Sequence, residues 1–137
     1  MYQPKPLPHG TSLSGISEKT HTIHHGKLYT GYVNKRNEIV EKLKAADLGG
    51  ANATYSELRS LKAEETFAAN GVVLHEVFFD ILGEPNADAP ELKARLAADF
   101  GSLERWRQLF TACGLAARGW VVLAWDTNDA KLAVYTG

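Results

Sequence analysis

Cysteine is nearly absent. Cys113 is the only one, so no disulfide can form within the chain and a reducing compartment is permitted. It sits in an Ala-Cys-Gly stretch that reads as helix interior, where a free thiol packs as a small apolar group. Long apolar runs are missing too: none approaches the ~20 residues that cross a bilayer. The opening Met1-Tyr2-Gln3-Pro4-Lys5-Pro6-Leu7-Pro8 is too polar and proline-rich for a signal peptide. No single sign of charge dominates, since 15 Lys and Arg against 16 Asp and Glu leave a formal net charge of −1. A chain without a basic excess has little with which to neutralise a phosphate backbone. These absences lead us to expect a soluble, cytoplasmic protein with neither membrane nor nucleic acid as a partner. There is no internal repeat and no low-complexity tract. What the chain does have is 137 residues, 45% of them apolar, enough for one ordinary domain or two small layers sharing a core.

Residues 1–15 hold three of the five prolines and two glycines, and predict an extended arm. Ser17 is a good N-cap, followed by Glu18 where the helix dipole favours negative charge. Thr20, His24, Leu28 and Tyr32 then recur every four residues and predict the inward stripe of a helix, continued by Ile39 and Leu43. Lys27, Lys35, Arg36, Glu38, Glu41 and Lys42 face water. Leu48-Gly49-Gly50-Ala51-Asn52 ends this helix. Thr54 caps a second, with Glu57 in capping-box spacing. Its apolar face comprises Leu58, Leu61, Phe67, Gly71, His75, Phe78, Phe79 and Leu82, and it stops at Gly83 and Pro85. Two long amphipathic helices across a short turn predict an antiparallel hairpin.

The second half differs. Pro90 to Phe100 reads as a short helix, and Ser102 caps another that runs to about Ala117. Residues 119–125 form a strand rich in β-branched and aromatic side chains, 126–129 a turn, and 131–136 a second, alternating strand. The fold class is therefore α+β: an N-terminal arm and helical hairpin over residues 1–84, then a small α/β domain with an antiparallel β-ribbon over 85–137.

His24 and His75 fall on the inward stripes of helices expected to pack together. Neutral imidazole suits iron, manganese and zinc, and facing helices are where bundles hold metals. A histidine on an apolar stripe serves equally as a hydrogen-bonded core residue. His21 and His25 lie off that stripe and His9 lies in the arm, so all three are expected in solvent.

The surrounding residues narrow the choice. Residues 17–33, with the core Ile-His-His-Gly-Lys-Leu-Tyr-Thr-Gly-Tyr-Val, resemble the first-helix signature of the iron/manganese superoxide dismutases. Leu74-His75-Glu76-Val77-Phe78-Phe79 resembles the second signature, in which a histidine ligand precedes an aromatic pair. Asp99-Phe100-Gly101-Ser102-Leu103-Glu104, Phe110-Thr111, Gly119-Trp120 and Lys131-Leu132-Ala133-Val134 resemble the family's later phrases, in order, and Leu7-Pro8 resembles its arm. The resemblance covers almost the whole chain. It implies His24 and His75 as metal ligands of a mononuclear Fe or Mn site, one ion per subunit. It also implies Tyr32 as the catalytic tyrosine at the pocket mouth and Trp120 as a pocket wall. Gly71 stands where iron-type members often carry glutamine, closer to the manganese-type pattern.

The chain departs from the family in places. Leu28 and Tyr29 replace a histidine pair, the first of which supports contacts between subunits. Val122 replaces a frequent tryptophan. The Asp-x-Trp-Glu-His phrase that supplies the remaining aspartate and histidine ligands is not in this sequence, and Asp126, in a hairpin turn, is not a substitute. The function implied is superoxide dismutase: an antioxidant oxidoreductase that converts superoxide to dioxygen and hydrogen peroxide. Lys27 and Lys35 would attract the small anion, or else simply solvate a helix face. The implied assembly is a homodimer, or a fold completed by the remainder of the chain or another polypeptide. The alternative is a non-catalytic binding or structural module with a degenerate metal site. A bis-histidine haem or zinc site is a third possibility, resting on the histidine pair alone.

Overall fold

A computed structural model of the chain describes residues 1–83 and 88–137, which form two compact units, one on each side of residues 84–87. The first unit is the arm and a helical hairpin. Ser17 is extended (φ −70°, ψ 148°) and its Oγ accepts the Thr20 amide at 3.1 Å, starting α1 (Glu18–Ile23) as expected. The helix then changes pitch. His24–Tyr29 is a π-helical turn, after which α2 (Thr30–Lys44) resumes the ordinary spacing. A π turn takes i→i+5 hydrogen bonds and so accommodates an extra residue.

That turn overturns the expected stripe of every fourth residue. Leu28 is 53% exposed and Thr20 faces solvent, while Tyr29, five residues after His24, takes the inward position at 1% exposure. His21 is buried as well, not solvated, and His25 is half-buried. α2 stops at Lys44, earlier than the glycines suggest, because Ala45 and Ala46 fold back onto Lys42 and Leu43 in i→i+3 bonds.

The second long helix, α3 (Glu57–Ile81), is capped by Ser56 and not by Thr54. Asn52 Oδ1 engages the Thr54 and Tyr55 amides in a turn, which leaves Ser56 extended with its Oγ accepting from Arg59 N at 3.2 Å. Its buried side is Ala68, Gly71, Val72, His75 and Phe79; Phe67 is exposed and packs on Tyr32 from outside. The helix ends where Leu82 turns extended, with Gly83 next; Pro85 lies outside the described residues. Tyr29 packs on Phe79, and Tyr32 on Phe67, so the two helices run antiparallel. Tyr29, Val33, Val72 and Phe79 form the centre of the core, with Tyr2 and Leu7 of the arm against it. Burying each such side chain stabilises by about 1.5–3 kcal/mol.

The second unit matches its expected elements closely. Pro90 opens α4 (Pro90–Phe100), and Gly101, at φ +86°, ends it in a backbone conformation that favours glycine. Ser102 caps α5 (Leu103–Ala116) through the Arg105 amide. β1 (Val121–Asp126) and β2 (Lys131–Thr136) pair antiparallel, from Val121 opposite Thr136 to Asp126 opposite Lys131. Gly119 and Trp120 lie before the strand and bond to the Gly137 backbone. Arg95 staples α4 to the ribbon: it pairs with Asp99, donates to the Ala130 carbonyl and stacks 4.7 Å over Trp125. Asp99 Oδ2 also accepts the Leu132 amide at 2.7 Å. No helix among the described residues is long and apolar enough to cross a membrane.

Candidate metal centre

The π turn and α3 bring His24 and His75 face to edge, with ring centroids 5.0 Å apart and planes at 79°. His75 is 4% exposed and its Nδ1 lies 2.6 Å from the Gly71 carbonyl oxygen one turn earlier. A carbonyl can only accept, so Nδ1 carries the proton and the lone pair is on Nε2. Holding one ring nitrogen on a backbone carbonyl is how proteins orient a histidine whose other nitrogen binds metal. Burial lowers the His24 pKa, as do the neighbouring His75 and His21 rings. Burial also lowers that of His75, against the opposing pull of the Gly71 hydrogen bond. Both imidazoles are neutral at pH 7, the form that coordinates a metal. The donor set thus fits a transition metal as far as two ligands go. Among the described residues no group of three or more His, Cys, Asp or Glu is placed to hold an ion.

Tyr32 stands beside the pair, its ring 5.3 Å from that of His75. It packs directly on Gly71: a Cβ at that position would lie 2.6 Å from Tyr32 Cε1 and 2.8 Å from Cγ. Tyr32 also lines a cleft of about 380 Å³ with Lys27, Leu28, Lys35 and Phe67, so both lysines flank the same opening. A smaller cleft, about 240 Å³, is lined by His24 together with His21, Phe78 and Leu82. His21 Nε2 is buried there with no hydrogen-bond partner among the described residues.

Trp120 belongs to the second unit, half-buried, with its backbone N donating to the Gly137 carbonyl at 2.8 Å. Asp126 is committed to its turn: Oδ1 accepts from the Asn128 and Asp129 amides and Oδ2 from the Tyr135 hydroxyl.

The sequence reading missed a polar cluster behind the histidines. Tyr29 donates to Glu76 Oε1 at 2.9 Å, Tyr2 donates to the same oxygen at 2.6 Å, and Lys5 pairs with Oε2 at 2.6 Å. Burial pushes the Glu76 carboxyl up, but these three donors outweigh it and hold the pKa below the usual value. His25, read as solvated, donates from Nε2 to the Lys5 carbonyl at 2.8 Å. The one signal in the sequence was an acidic residue directly after an inward histidine.

Comparison with known proteins bears on what this arrangement does. Residues 9–83 match the family described as iron/manganese superoxide dismutases, alpha-hairpin domain, and residues 88–137 match its C-terminal domain. The chain is 40% identical to a protein of Cupriavidus metallidurans named superoxide dismutase [Fe], with 96% of this chain and 68% of that one covered. It is 41% identical to superoxide dismutase [Fe] of Aquifex aeolicus, over 96% and 64% of the two chains. Identity to superoxide dismutase [Mn] 1 of Halobacterium salinarum is 34%, over 96% and 66%. The chain therefore spans about two thirds of the length of these relatives.

Proposed function

Because the chain belongs to the iron/manganese superoxide dismutase family, we propose that it contributes to an enzyme disproportionating superoxide to dioxygen and hydrogen peroxide. His24 and His75 are its metal ligands in this proposal, for one Fe or Mn per subunit. The remaining ligands come from residues outside this sequence. Bound there, the ion supplies reversible one-electron chemistry between its +3 and +2 states.

The chain's own residues do the rest. Gly71 fixes the His75 tautomer through its carbonyl and leaves room for Tyr32 through its missing side chain. Tyr32 restricts the cleft to small species. Lys27 and Lys35 flank the opening and would draw in a small anion, with Lys35 paired to Glu38 and with Glu64 on the same rim. The proposal extends to two domains (1–84 and 85–137), to a pair of identical subunits and to the cytoplasm, where a lone thiol such as Cys113 stays reduced.

The observation that carries this reading is the approach of two neutral imidazoles, one locked by a backbone carbonyl. Metal analysis of the purified protein, with superoxide consumption assayed alongside, tests it. Iron or manganese should be present at one ion per subunit, and both metal and activity should vanish in His75→Ala with the helical circular dichroism retained. A folded protein without either metal, or a His75→Ala variant that keeps its ion, would favour the non-catalytic module.

A further inference from the structure

A π turn is a poor helix on its own terms, and such turns persist where the surroundings impose them. The surroundings here are four residues of the arm. The Lys5 backbone is gripped on both sides of its α-carbon from within the π turn: its N–H donates to the Tyr29 hydroxyl at 2.9 Å, and its carbonyl accepts from His25 Nε2 at 2.8 Å. His25 and Tyr29 are four residues apart in that turn. The extra residue that a π turn accommodates changes the angle between them, and in this register the two side chains meet the two backbone groups of Lys5. The Lys5 side chain meanwhile crosses to Glu76 on α3, where Tyr2 and Tyr29 also donate. The far end is tied to α2, since Asn37 Oδ1 accepts the Tyr2 amide at 2.9 Å and its Nδ2 donates to the Tyr2 carbonyl at 2.8 Å. Pro4 between these anchors and Pro6 just after them stiffen the arm, which lowers the entropy lost on docking.

We propose that residues 2–5 are a clasp, anchored on Glu76, that fixes the register of the π turn and thereby presents His24 to His75. Glu76 is the natural anchor because it follows His75 directly, so the carboxylate that holds the arm moves with that ring. Its side chain is 11% exposed, and a carboxylate so enclosed needs all three of its donors. Glu76, Tyr29 and Lys5 act here as positioning residues. That the pair they position binds metal rests on the function proposed above; the clasp itself does not.

Amide hydrogen exchange on the whole chain, with Mn²⁺ titrated in parallel, tests it. Tyr29→Phe keeps the ring and removes the hydroxyl. It should speed exchange across 24–30 about tenfold, as loss of a buried hydrogen bond implies, while amides at 60–70 in α3 stay at the parent rate. Lys5→Met, at a side chain 63% exposed, should speed the same amides about threefold, with Lys5→Arg at the parent rate. Mn²⁺ affinity should fall in the same order. Unchanged exchange at 24–30 in both variants, or an acceleration spread evenly over α3, overturns the clasp. If Tyr29→Phe does not fold, Lys5→Met decides. A parent chain that takes no Mn²⁺, with the turn still loosened in the variants, keeps the clasp and means that the two histidines do not hold the ion without the further ligands.

Discussion

Gly71 shows how much one hydrogen atom can decide. Its carbonyl receives the His75 proton while its bare α-carbon receives the Tyr32 ring. Alanine in a helix interior is normally favoured over glycine by about 1 kcal/mol, yet here the added methyl enters the tyrosine. Overpacking of this kind costs about 1–3 kcal/mol, so Gly71→Ala should lower the urea midpoint despite the gain in propensity. Gly31→Ala is the matched control, because a Cβ there meets nothing within 4 Å; it should raise the midpoint, by up to ~1 kcal/mol of stability. A Gly71→Ala protein as stable as Gly31→Ala would remove the packing argument. His24, His75, Tyr32 and Gly71 could be singled out from the chain because residue type and neighbours marked them. Tyr29 and His21 could not, since each owes its burial to a helix phase that side-chain spacing does not encode, and Glu76 carried no mark beyond its place after His75.

At the scale of elements, what was legible depended on local chemistry. The starts of α1, α4 and α5 are set by Ser17, Pro90 and Ser102, whose effects reach only a few residues. The start of α3 offered two hydroxyl residues two positions apart, and the choice was made by Asn52, whose carboxamide organises the preceding turn. Ser56→Ala should therefore cost about 1 kcal/mol in chemical unfolding and Thr54→Ala close to nothing. Equal losses in the two variants would return the cap to Thr54. The π turn is the other kind of case. Its widened pitch is imposed from outside, by an arm more than fifteen residues upstream and a carboxylate on α3, and a period-of-four reading runs straight across it.

Across the whole molecule, stability should be uneven. The hairpin unit buries Tyr29, Val33, Ile39, Ala68, Val72 and Phe79, whereas Leu96 is the one fully buried apolar side chain among the described residues of the second unit. At about 1.5–3 kcal/mol for each such side chain, the second unit should open first. Trp106, Trp120 and Trp125 are all in that unit, so the chain carries its own reporter. Tryptophan fluorescence should change at lower urea than the helical circular dichroism, which α2 and α3 dominate. Coincident curves would mean that the units unfold as one.

The π turn also has a bearing on lineage. A turn that relaxed to an ordinary helix with all its residues kept would swivel everything upstream by roughly 100°. Thr22 would then point where His21 now does, and the arm would be delivered to the wrong side. Losing the turn therefore requires losing a residue with it, so the length of this stretch is a firmer hereditary marker than its spelling.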